Sequence, residues 1–301
     1  MNRKFFAGLA LALSLLAPAF SAPRFETGAF QVDQISQKGP ALILIPGLAC
    51  GPWVWDQTVA PLRERYSIYL LTLPGFDGRA PQPGVTLESL QKDLLTLIES
   101  KKLEKPVLVG HSLGGTLALS FATKHSGVIG GVVAIDGLPV FPGTEMMTDR
   151  APMAANARQQ MARQTPAQFA EYQRNYMKQV GSVDEAIASA IAEKSSRSDP
   201  GATGEFAAQI LLQDFRAALP GIKVPVVEIS PFHAPDFARI NVDEAGKTGY
   251  YRALLGGIER LEVVSISPAR HFVMLDQPEK FNAALDAALQ TMVDPGKLPR
   301  K

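Results

Sequence analysis

Six short apolar runs recur from residue 41 onward and limit the folds open to this chain. They are rich in Val, Ile and Leu and lie at 41–46, 66–75, 105–110, 130–137, 224–230 and 261–267. Runs of this kind are typical of strands that are buried on both faces, as in a parallel sheet. Apolar residues at helical spacing fill the intervals 86–103, 113–124 and 277–292. This alternation predicts an α/β fold, with a parallel sheet covered by helices on both faces.

Two of the predicted helices carry recognisable signals at their N-terminal ends. Thr86 is the predicted N-cap of the first helix, because its hydroxyl can accept a hydrogen bond from a free backbone N–H. Asp276 and Glu279 give the last helix a similar start, with Pro278 in the first turn, where its missing N–H costs little. We therefore expect Asp276 to act as a helix cap.

Residues 138–222 break the alternation, because they contain no convincing strand. Several amphipathic helical patterns fill this segment, separated by loops with Pro, Gly and Ser. A helical insertion between two strands predicts a cap over one edge of the sheet. The expected organisation is a core of residues 20–137 and 223–301 with a cap of residues 138–222.

Composition excludes several classes of protein. The chain is 46% hydrophobic and 20% charged, with a net charge of +1 from 30 basic and 29 acidic residues. These values are ordinary for a globular protein, and the balanced charge predicts no nucleic-acid partner. Cys50 is the only cysteine, so neither an internal disulfide nor a cysteine metal cluster can form. We expect Cys50 to be a small apolar turn residue.

The N-terminal segment predicts export. Two basic residues precede an apolar run from Phe5 to Ala17, a pattern typical of a secretory signal peptide. The run is shorter than the roughly 20 residues that a membrane span needs. Cleavage before Phe20 is favoured over cleavage after Ala22, since it leaves small residues at the cut. We expect residues 1–19 to be removed and the mature protein to be periplasmic or secreted, with no stable membrane anchor.

A serine lies where a predicted strand becomes a predicted helix, in the sequence VLVGHSLGG over residues 107–115. Small residues two before and two after Ser112 allow a sharp turn, because neighbouring backbone passes close by. The turn would hold the hydroxyl at the C-terminal edge of the sheet, beside a helix N-terminus whose dipole favours a developing oxyanion. The sequence therefore predicts Ser112 as a nucleophile; the alternative is that the glycines serve a turn alone.

A serine hydroxyl needs a base to take its proton. Among the four histidines, His271 follows the last apolar run in a loop that ends at the same sheet edge as Ser112, so it is the predicted base. His111 adjoins the serine and is expected to shape the site.

The base in turn needs a carboxylate to hold its tautomer. Asp136 ends the run at 130–137, and Asp236 lies in the loop after the run at 224–230, so both are candidates. An oxyanion needs two N–H donors. The backbone of Leu113, directly after the serine, and of Leu48, in the loop after the first run, are the predicted donors.

These segments together resemble the α/β-hydrolase superfamily, specifically its capped serine-dependent members. The resemblance covers roughly residues 40–294 and rests on LILIPGLACGPWVW, LLTLPGFDG, VLVGHSLGG, VPVVEISP and ARHFVMLDQPEKF, which stand in the family's order and spacing. It implies an eight-stranded, mostly parallel sheet, no cofactor, and chemistry through an acyl-serine on Ser112 with His271 as base. We expect no metal either. Pro46-Gly47 replaces the usual His-Gly before the oxyanion loop, a common variant that leaves the backbone donor intact.

The position of the acid departs from the usual pattern of that family. Its acid commonly lies about eight residues past the start of the strand at 224–230, which here falls on Phe232 and His233. Asp236 comes about three residues later. Some members instead use an acid at the end of the preceding strand, which matches Asp136. The resemblance therefore favours Asp136, with Asp236 as the alternative.

Serine at the turn argues against dehalogenase and epoxide hydrolase chemistry, which need a carboxylate nucleophile there. A cap rich in Leu, Met, Phe and Ala indicates a largely apolar acyl pocket. We therefore predict a carboxylic-ester hydrolase acting on small or medium, largely apolar esters. Two alternatives remain. One is a non-catalytic protein of the same fold that binds a ligand or partner; the other is a cofactor-free perhydrolase or haloperoxidase-like enzyme with the same three residues.

Overall fold

A computed structural model describes residues 23–293, so the signal peptide predicted over residues 1–19 lies outside the described part of the chain. One sheet of eight strands forms its centre. The strands are β1 (Arg24–Thr27), β2 (Phe30–Gln34), β3 (Ala41–Ile45), β4 (Ser67–Thr72), β5 (Val107–His111), β6 (Gly131–Ile135), β7 (Val226–Pro231) and β8 (Leu261–Ile266).

The order across the sheet is β1-β2-β4-β3-β5-β6-β7-β8. β2 is antiparallel to both of its neighbours. The other six strands, β3 to β8, run parallel to one another. The six apolar runs of the sequence are β3 to β8. The predicted α/β class with a mostly parallel eight-stranded sheet is therefore confirmed, and the hairpin of β1 and β2 adds an antiparallel edge.

Helices connect the parallel strands. They are α1 (Asp56–Leu62), α2 (Leu87–Ser100), α3 (Leu113–His125), α4 (Ala151–Ala162), α5 (Pro166–Tyr176), α6 (Glu185–Ser195), α7 (Pro200–Leu212), α8 (Ala234–Phe237), α9 (Glu244–Leu254), α10 (Val273–Asp276) and α11 (Pro278–Met292). Thr86 caps α2 as predicted, since its Oγ1 accepts a hydrogen bond from the Ser89 N–H at 3.0 Å. Across residues 23–293, no helix is both long enough and apolar enough to cross a membrane.

Two apolar layers cover the faces of the sheet. Successive side chains of a strand point to opposite faces, and along β3 Ile43 belongs to one layer while Leu44 belongs to the other. The first layer contains α2, α3 and α9, and the second contains α1 and α11. Each fully buried Leu or Ile stabilises the fold by about 1.5–3 kcal/mol, so both layers favour the doubly covered sheet.

The segment predicted as a cap contains α4, α5, α6 and α7, and all four lie between β6 and β7 in the chain. A π-helical turn, Met177–Gly181, follows α5 directly. α4 packs on α7, and α5 packs on α6. The division into a core and a cap domain stays a prediction.

Asp276 does not cap the last helix, so that expectation was wrong. The N-cap of α11 is Gln277, which makes no side-chain cap hydrogen bond. A short helix, α10, precedes it, and this turns the Asp276 carboxylate toward the cap segment. There the carboxylate accepts hydrogen bonds from the Ser182 hydroxyl and, at 2.8 Å, from the backbone N–H of Arg270.

Candidate active site

The turn between β5 and α3 holds Ser112 in a strained backbone conformation. Its φ is 54° and its ψ is −118°, a region that residues other than glycine seldom adopt. The Ser112 N–H donates to the Ile135 carbonyl at 2.7 Å, which ties the turn to the end of β6. Ser112 therefore lies beside Asp136 at the C-terminal edge of the sheet.

Two glycines make this turn sterically possible. A Cβ on Gly110 would lie 2.2 Å from the Gly114 carbonyl oxygen, and a Cβ on Gly114 would lie 2.2 Å from the Ile45 carbonyl oxygen. Both distances are far below van der Waals contact. The requirement for small residues on either side of the serine follows from these approaches of backbone to backbone.

Two free backbone N–H groups adjoin the serine. Leu113 is the first residue of α3, so its N–H has no partner within the helix. The loop before Leu48 lies against the serine, since a Cβ on Gly47 would be 3.1 Å from the Ser112 Cβ. Within residues 23–293 neither the Leu48 N–H nor the Leu113 N–H has a hydrogen-bond acceptor. Leu113 thus adjoins Ser112, and Leu48 follows the glycine that packs against it, so both predicted oxyanion donors are near the serine.

The structure brings His271 and Asp136 together. The distance from His271 Nδ1 to Asp136 Oδ2 is 2.5 Å, and the two side chains are 18% and 16% exposed. Asp136 follows β6 with a φ of 50°, which turns its side chain along the sheet edge. Burial alone would raise the pKa of the Asp136 carboxyl, but the hydrogen bond and charge of His271 outweigh it and hold that pKa well below its usual value.

This contact fixes the tautomer of His271. A carboxylate only accepts hydrogen bonds, so the proton of the neutral ring is on Nδ1 and the lone pair is on Nε2. The loop that carries the ring is held by the π-helical turn. There the His271 N–H donates to the Val180 carbonyl at 3.1 Å, and the Phe272 N–H donates to the Gly181 carbonyl at 3.0 Å.

His111 packs beneath the same loop. Its ring is fully buried, with a centroid 4.6 Å from that of His271. Its Nε2 donates to the His271 carbonyl oxygen at 3.0 Å, because a carbonyl can only accept. Burial, with a contribution from the charge of His271, lowers the pKa of His111 to about 3. His111 is thus a neutral side chain that supports the loop, which agrees with its predicted shaping role.

The alternative acid, Asp236, is engaged elsewhere. Its carboxylate accepts two hydrogen bonds from Arg270, at 2.8 Å from Nε and 2.7 Å from Nη2, and it lies 3.2 Å from His233 Nδ1. Arg270 holds the pKa of this carboxyl below its usual value. The structure therefore places Asp136, and not Asp236, against His271.

A family model extends this picture to most of the chain. The model of the alpha/beta hydrolase family matches residues 42–284. The chain belongs to the alpha/beta hydrolase family. The family resemblance inferred from the sequence motifs is confirmed.

Individual curated relatives of this α/β-hydrolase match only part of the chain. A pimeloyl-acyl-carrier-protein methyl ester esterase from Vibrio cholerae is 31% identical over 108 residues, which are 36% of this chain and 41% of that protein. The chain thus spans about two fifths of the length of the curated relatives it matches first.

Solved structures match over nearly the whole chain. A thermophilic esterase from Thermogutta terrifontis has a TM-score of 0.74 at 19% identity, covering 90% of this chain and 100% of that one. A hydrolase from Pseudomonas aeruginosa has a TM-score of 0.74 at 17% identity, covering 90% and 99%. At such identities the likeness concerns the fold.

Three residues of this α/β-hydrolase that the sequence motifs did not indicate act on Asp136 through a hydrogen bond or through charge. The Tyr251 hydroxyl donates a hydrogen bond to Asp136 Oδ1. Lys247 Nζ lies 5.1 Å from the centroid of the Tyr251 ring. Glu228 is fully buried in β7, and its Oε1 accepts from the Gly137 N–H at 3.3 Å.

Within the described part of the α/β-hydrolase, no three His, Cys, Asp or Glu side chains form a group suited to hold a metal ion. Asp136 and His271 are instead paired with each other, and Asp236 is paired with Arg270.

Proposed function

We propose that this chain is a serine hydrolase that cleaves carboxylic esters through an acyl-serine intermediate. The observation that carries the proposal is the 2.5 Å contact between His271 Nδ1 and Asp136 Oδ2. This contact lies beside the turn between β5 and α3, where Ser112 has a strained backbone conformation. The two unused N–H groups of Leu48 and Leu113 lie near the same turn. A nucleophile, a base with an oriented tautomer and an oxyanion site are the parts that acyl transfer requires.

The proposed reaction begins with attack of the Ser112 oxygen on the ester carbonyl carbon, while Nε2 of His271 takes the hydroxyl proton. Asp136 stabilises the resulting imidazolium. The carbonyl oxygen becomes an oxyanion that accepts hydrogen bonds from the N–H groups of Leu48 and Leu113. The tetrahedral intermediate then collapses. The imidazolium protonates the departing alkoxide, and the acyl group remains on the serine.

Water completes the cycle. His271 takes a proton from a water molecule as that water attacks the acyl carbon, and the same N–H groups again stabilise the oxyanion. Collapse of the second intermediate breaks the bond to Ser112 and returns the proton from His271 to the serine oxygen. The products are a carboxylic acid and the free enzyme.

The substrate class is proposed from the surroundings of His271. Tyr176 and Val180 are large side chains of the cap segment that are 40% and 38% exposed, and the Val180 carbonyl accepts the His271 N–H. Tyr176 stacks on Tyr172 with ring centroids 5.9 Å apart. Apolar and aromatic groups next to the base favour small or medium, largely apolar esters. The names of the methyl ester esterase and of a second esterase relative support hydrolysis of esters in general.

Labelling with a fluorophosphonate probe tests the mechanism. We expect the wild-type protein to be labelled, Ser112→Ala to be unlabelled, and His271→Ala to be labelled more slowly by about 100-fold or more. Ser189→Ala on the exposed face of α6 and His125→Ala at the end of α3 are matched controls that should label like wild type. A folded wild-type protein that stays unlabelled would reject the serine mechanism and favour a ligand-binding role.

A series of p-nitrophenyl esters tests the substrate class. We expect kcat/KM to be highest for acetyl to octanoyl esters and to fall for longer and for charged acyl groups, because the side chains beside His271 are apolar. Equal rates for charged and apolar acyl groups of the same size would contradict the proposal.

Export is proposed from the sequence alone. Expression of the full chain in a Gram-negative host, followed by N-terminal sequencing of the periplasmic and secreted fractions, should give a mature protein that begins at Phe20. Retention of the uncleaved chain in the cytoplasm would contradict it.

A further inference from the structure

α9 brings two side chains toward Asp136. Lys247 and Tyr251 are four residues apart, so they lie on the same face of the helix, one turn from each other. The Tyr251 hydroxyl donates to Asp136 Oδ1, while His271 Nδ1 contacts Oδ2. The two oxygens of this carboxylate are therefore held by two different donors, one from α9 and one from the loop after β8.

Lys247 packs over the ring of Tyr251, and its positive charge acts on the Asp136 carboxylate. Its ammonium group donates to the Pro231 carbonyl and lies 5.1 Å and 5.3 Å from the ring centroids of Tyr251 and Phe237. Burial lowers the pKa of Lys247, and the charges of Asp136, Glu228 and Asp236 act in the opposite direction.

Glu228 is a second carboxyl group on the same side of the sheet. Burial, together with the charge of Asp136, raises the pKa of Glu228 well above its usual value. The raised pKa of Glu228 and the lowered pKa of Asp136 mean that Asp136 carries a negative charge more readily than Glu228 does. Other ionisable groups that interact with the cluster are His111 from β5, Tyr250 from α9, Asp236 from α8 and Tyr176 from α5.

We infer that Tyr251 is a positioning residue for Asp136 and that Lys247 sets how strongly Asp136 acts on His271. The Tyr251 hydroxyl holds Oδ1, so that Oδ2 stays turned to the imidazole. The Lys247 ammonium offsets part of the carboxylate charge. This inference rests on the proposed function, because it assigns both residues a role in activating Ser112.

A structural role alone would have different consequences. Tyr251 is 5% exposed and belongs to the apolar layer that contains α9, so its ring also stabilises the fold. Loss of packing would lower the melting temperature and the yield of folded enzyme. It would not change kcat per folded active site or the pH at which the site becomes active.

Tyr251→Phe tests the positioning role, because it removes one oxygen atom and keeps the ring. Tyr250→Phe is the matched control, since the Tyr250 hydroxyl contacts Glu145 and the Gly143 N–H instead of Asp136. We expect Tyr251→Phe to lower kcat for p-nitrophenyl butyrate by about tenfold with KM almost unchanged, as for loss of one hydrogen bond to a charged group. Tyr250→Phe should retain the wild-type kcat and KM.

Lys247→Met tests the charge, and Lys247→Arg is the rescue variant. Without the cation, less of the Asp136 charge is offset, so Asp136 stabilises positive charge on the catalytic imidazole more strongly. The acidic limb of the kcat/KM profile, and of the rate of Ser112 labelling by fluorophosphonate, should therefore move to higher pH in Lys247→Met. In Lys247→Arg it should stay at the wild-type position.

The outcomes separate the inference from the proposed function. An unlabelled wild-type protein contradicts the proposed function itself. A labelled wild-type protein, with wild-type kcat in Tyr251→Phe and an unmoved acidic limb in Lys247→Met, keeps the proposed function and overturns the inference. Active sites are counted by titration with the probe in each variant, so partial unfolding does not enter kcat. If Tyr251→Phe does not fold, the acidic limb of Lys247→Met decides.

Discussion

At the scale of single residues, the choice of acid can be tested directly. Asp136→Asn should lower kcat by about 10³–10⁴-fold, because the amide disfavours the Nδ1–H tautomer and leaves the imidazolium without a counter-charge. Asp236→Asn is the matched control. Its ion pair with Arg270 is partly exposed and contributes up to about 1 kcal/mol to stability. Asp236→Asn should therefore lower kcat by less than about fivefold. Hydrolysis of p-nitrophenyl butyrate by both variants measures the difference, and a larger loss in Asp236→Asn would reverse the assignment.

The sequence indicated part of this site, and the missing part has a physical reason. Ser112 was recognisable from its glycines, which the turn requires within a few residues of the chain. The acid was left open between Asp136 and Asp236, because the hydrogen bond to His271 joins residues 135 positions apart. A contact of that range depends on the order of strands in the sheet, to which the local sequence gives no direct access.

Tyr251 and Lys247 were missed for a local reason. They lie on α9, whose sequence contains glycine at 246 and 249, and glycine in a helix interior costs about 1 kcal/mol relative to alanine. The Asp243 side chain caps this helix by accepting from the Gly246 N–H at 2.7 Å. That cap is the sequence signal that was available for finding the helix.

At the scale of elements, the turn between β5 and α3 depends on close backbone packing. Gly114→Ala should lower the free energy of unfolding by about 1–3 kcal/mol, because the new methyl group would collide with the Ile45 carbonyl. Gly249→Ala on the exposed side of α9 is the matched control, since open space surrounds it. It should raise the free energy of unfolding by up to about 1 kcal/mol. Urea denaturation measures both, and equal effects would contradict the packing argument.

The strands differ in how clearly the sequence reveals them. β3, β5 and β6 are buried on both faces and so are continuous apolar runs. β1 is an edge strand whose residues alternate between exposed and half-buried, and it contains two charged residues among four. Its position depends on pairing with β2, so it has no comparable run of its own. The central strands were therefore predicted one by one, while this hairpin was not.

At the scale of the whole molecule, Asp136 and Glu228 make contributions to folding stability that change with pH in opposite directions. The pKa of Asp136 is lowered on folding, so its contribution to stability is present above an unfolded value of about 3.9 and is lost as the pH falls. The pKa of Glu228 is raised on folding, mainly by burial. Its contribution is present below an unfolded value of about 4.3 and is lost as the pH rises toward the folded value.

Glu228→Gln isolates the second contribution, because glutamine has a similar shape and does not titrate. The free energy of unfolding of this variant, minus that of wild type, should increase as the pH rises above about 4.3, by up to about 1.4 kcal/mol per pH unit until the folded pKa is reached. The contribution of Asp136 is common to both proteins and cancels in the difference. Urea denaturation of both proteins at intervals from pH 4 to pH 8 measures this difference in the free energy of unfolding.

Ser230→Ala provides the control for that series. Ser230 is two residues further along β7 and is fully buried, and its hydroxyl has no hydrogen-bond partner among residues 23–293. Its removal therefore gives an offset that is constant with pH. A constant offset for Glu228→Gln as well would mean that Glu228 does not take up a proton on folding. A rising difference would show that the fold keeps one carboxyl neutral beside another that is charged, at a cost in stability that grows with pH.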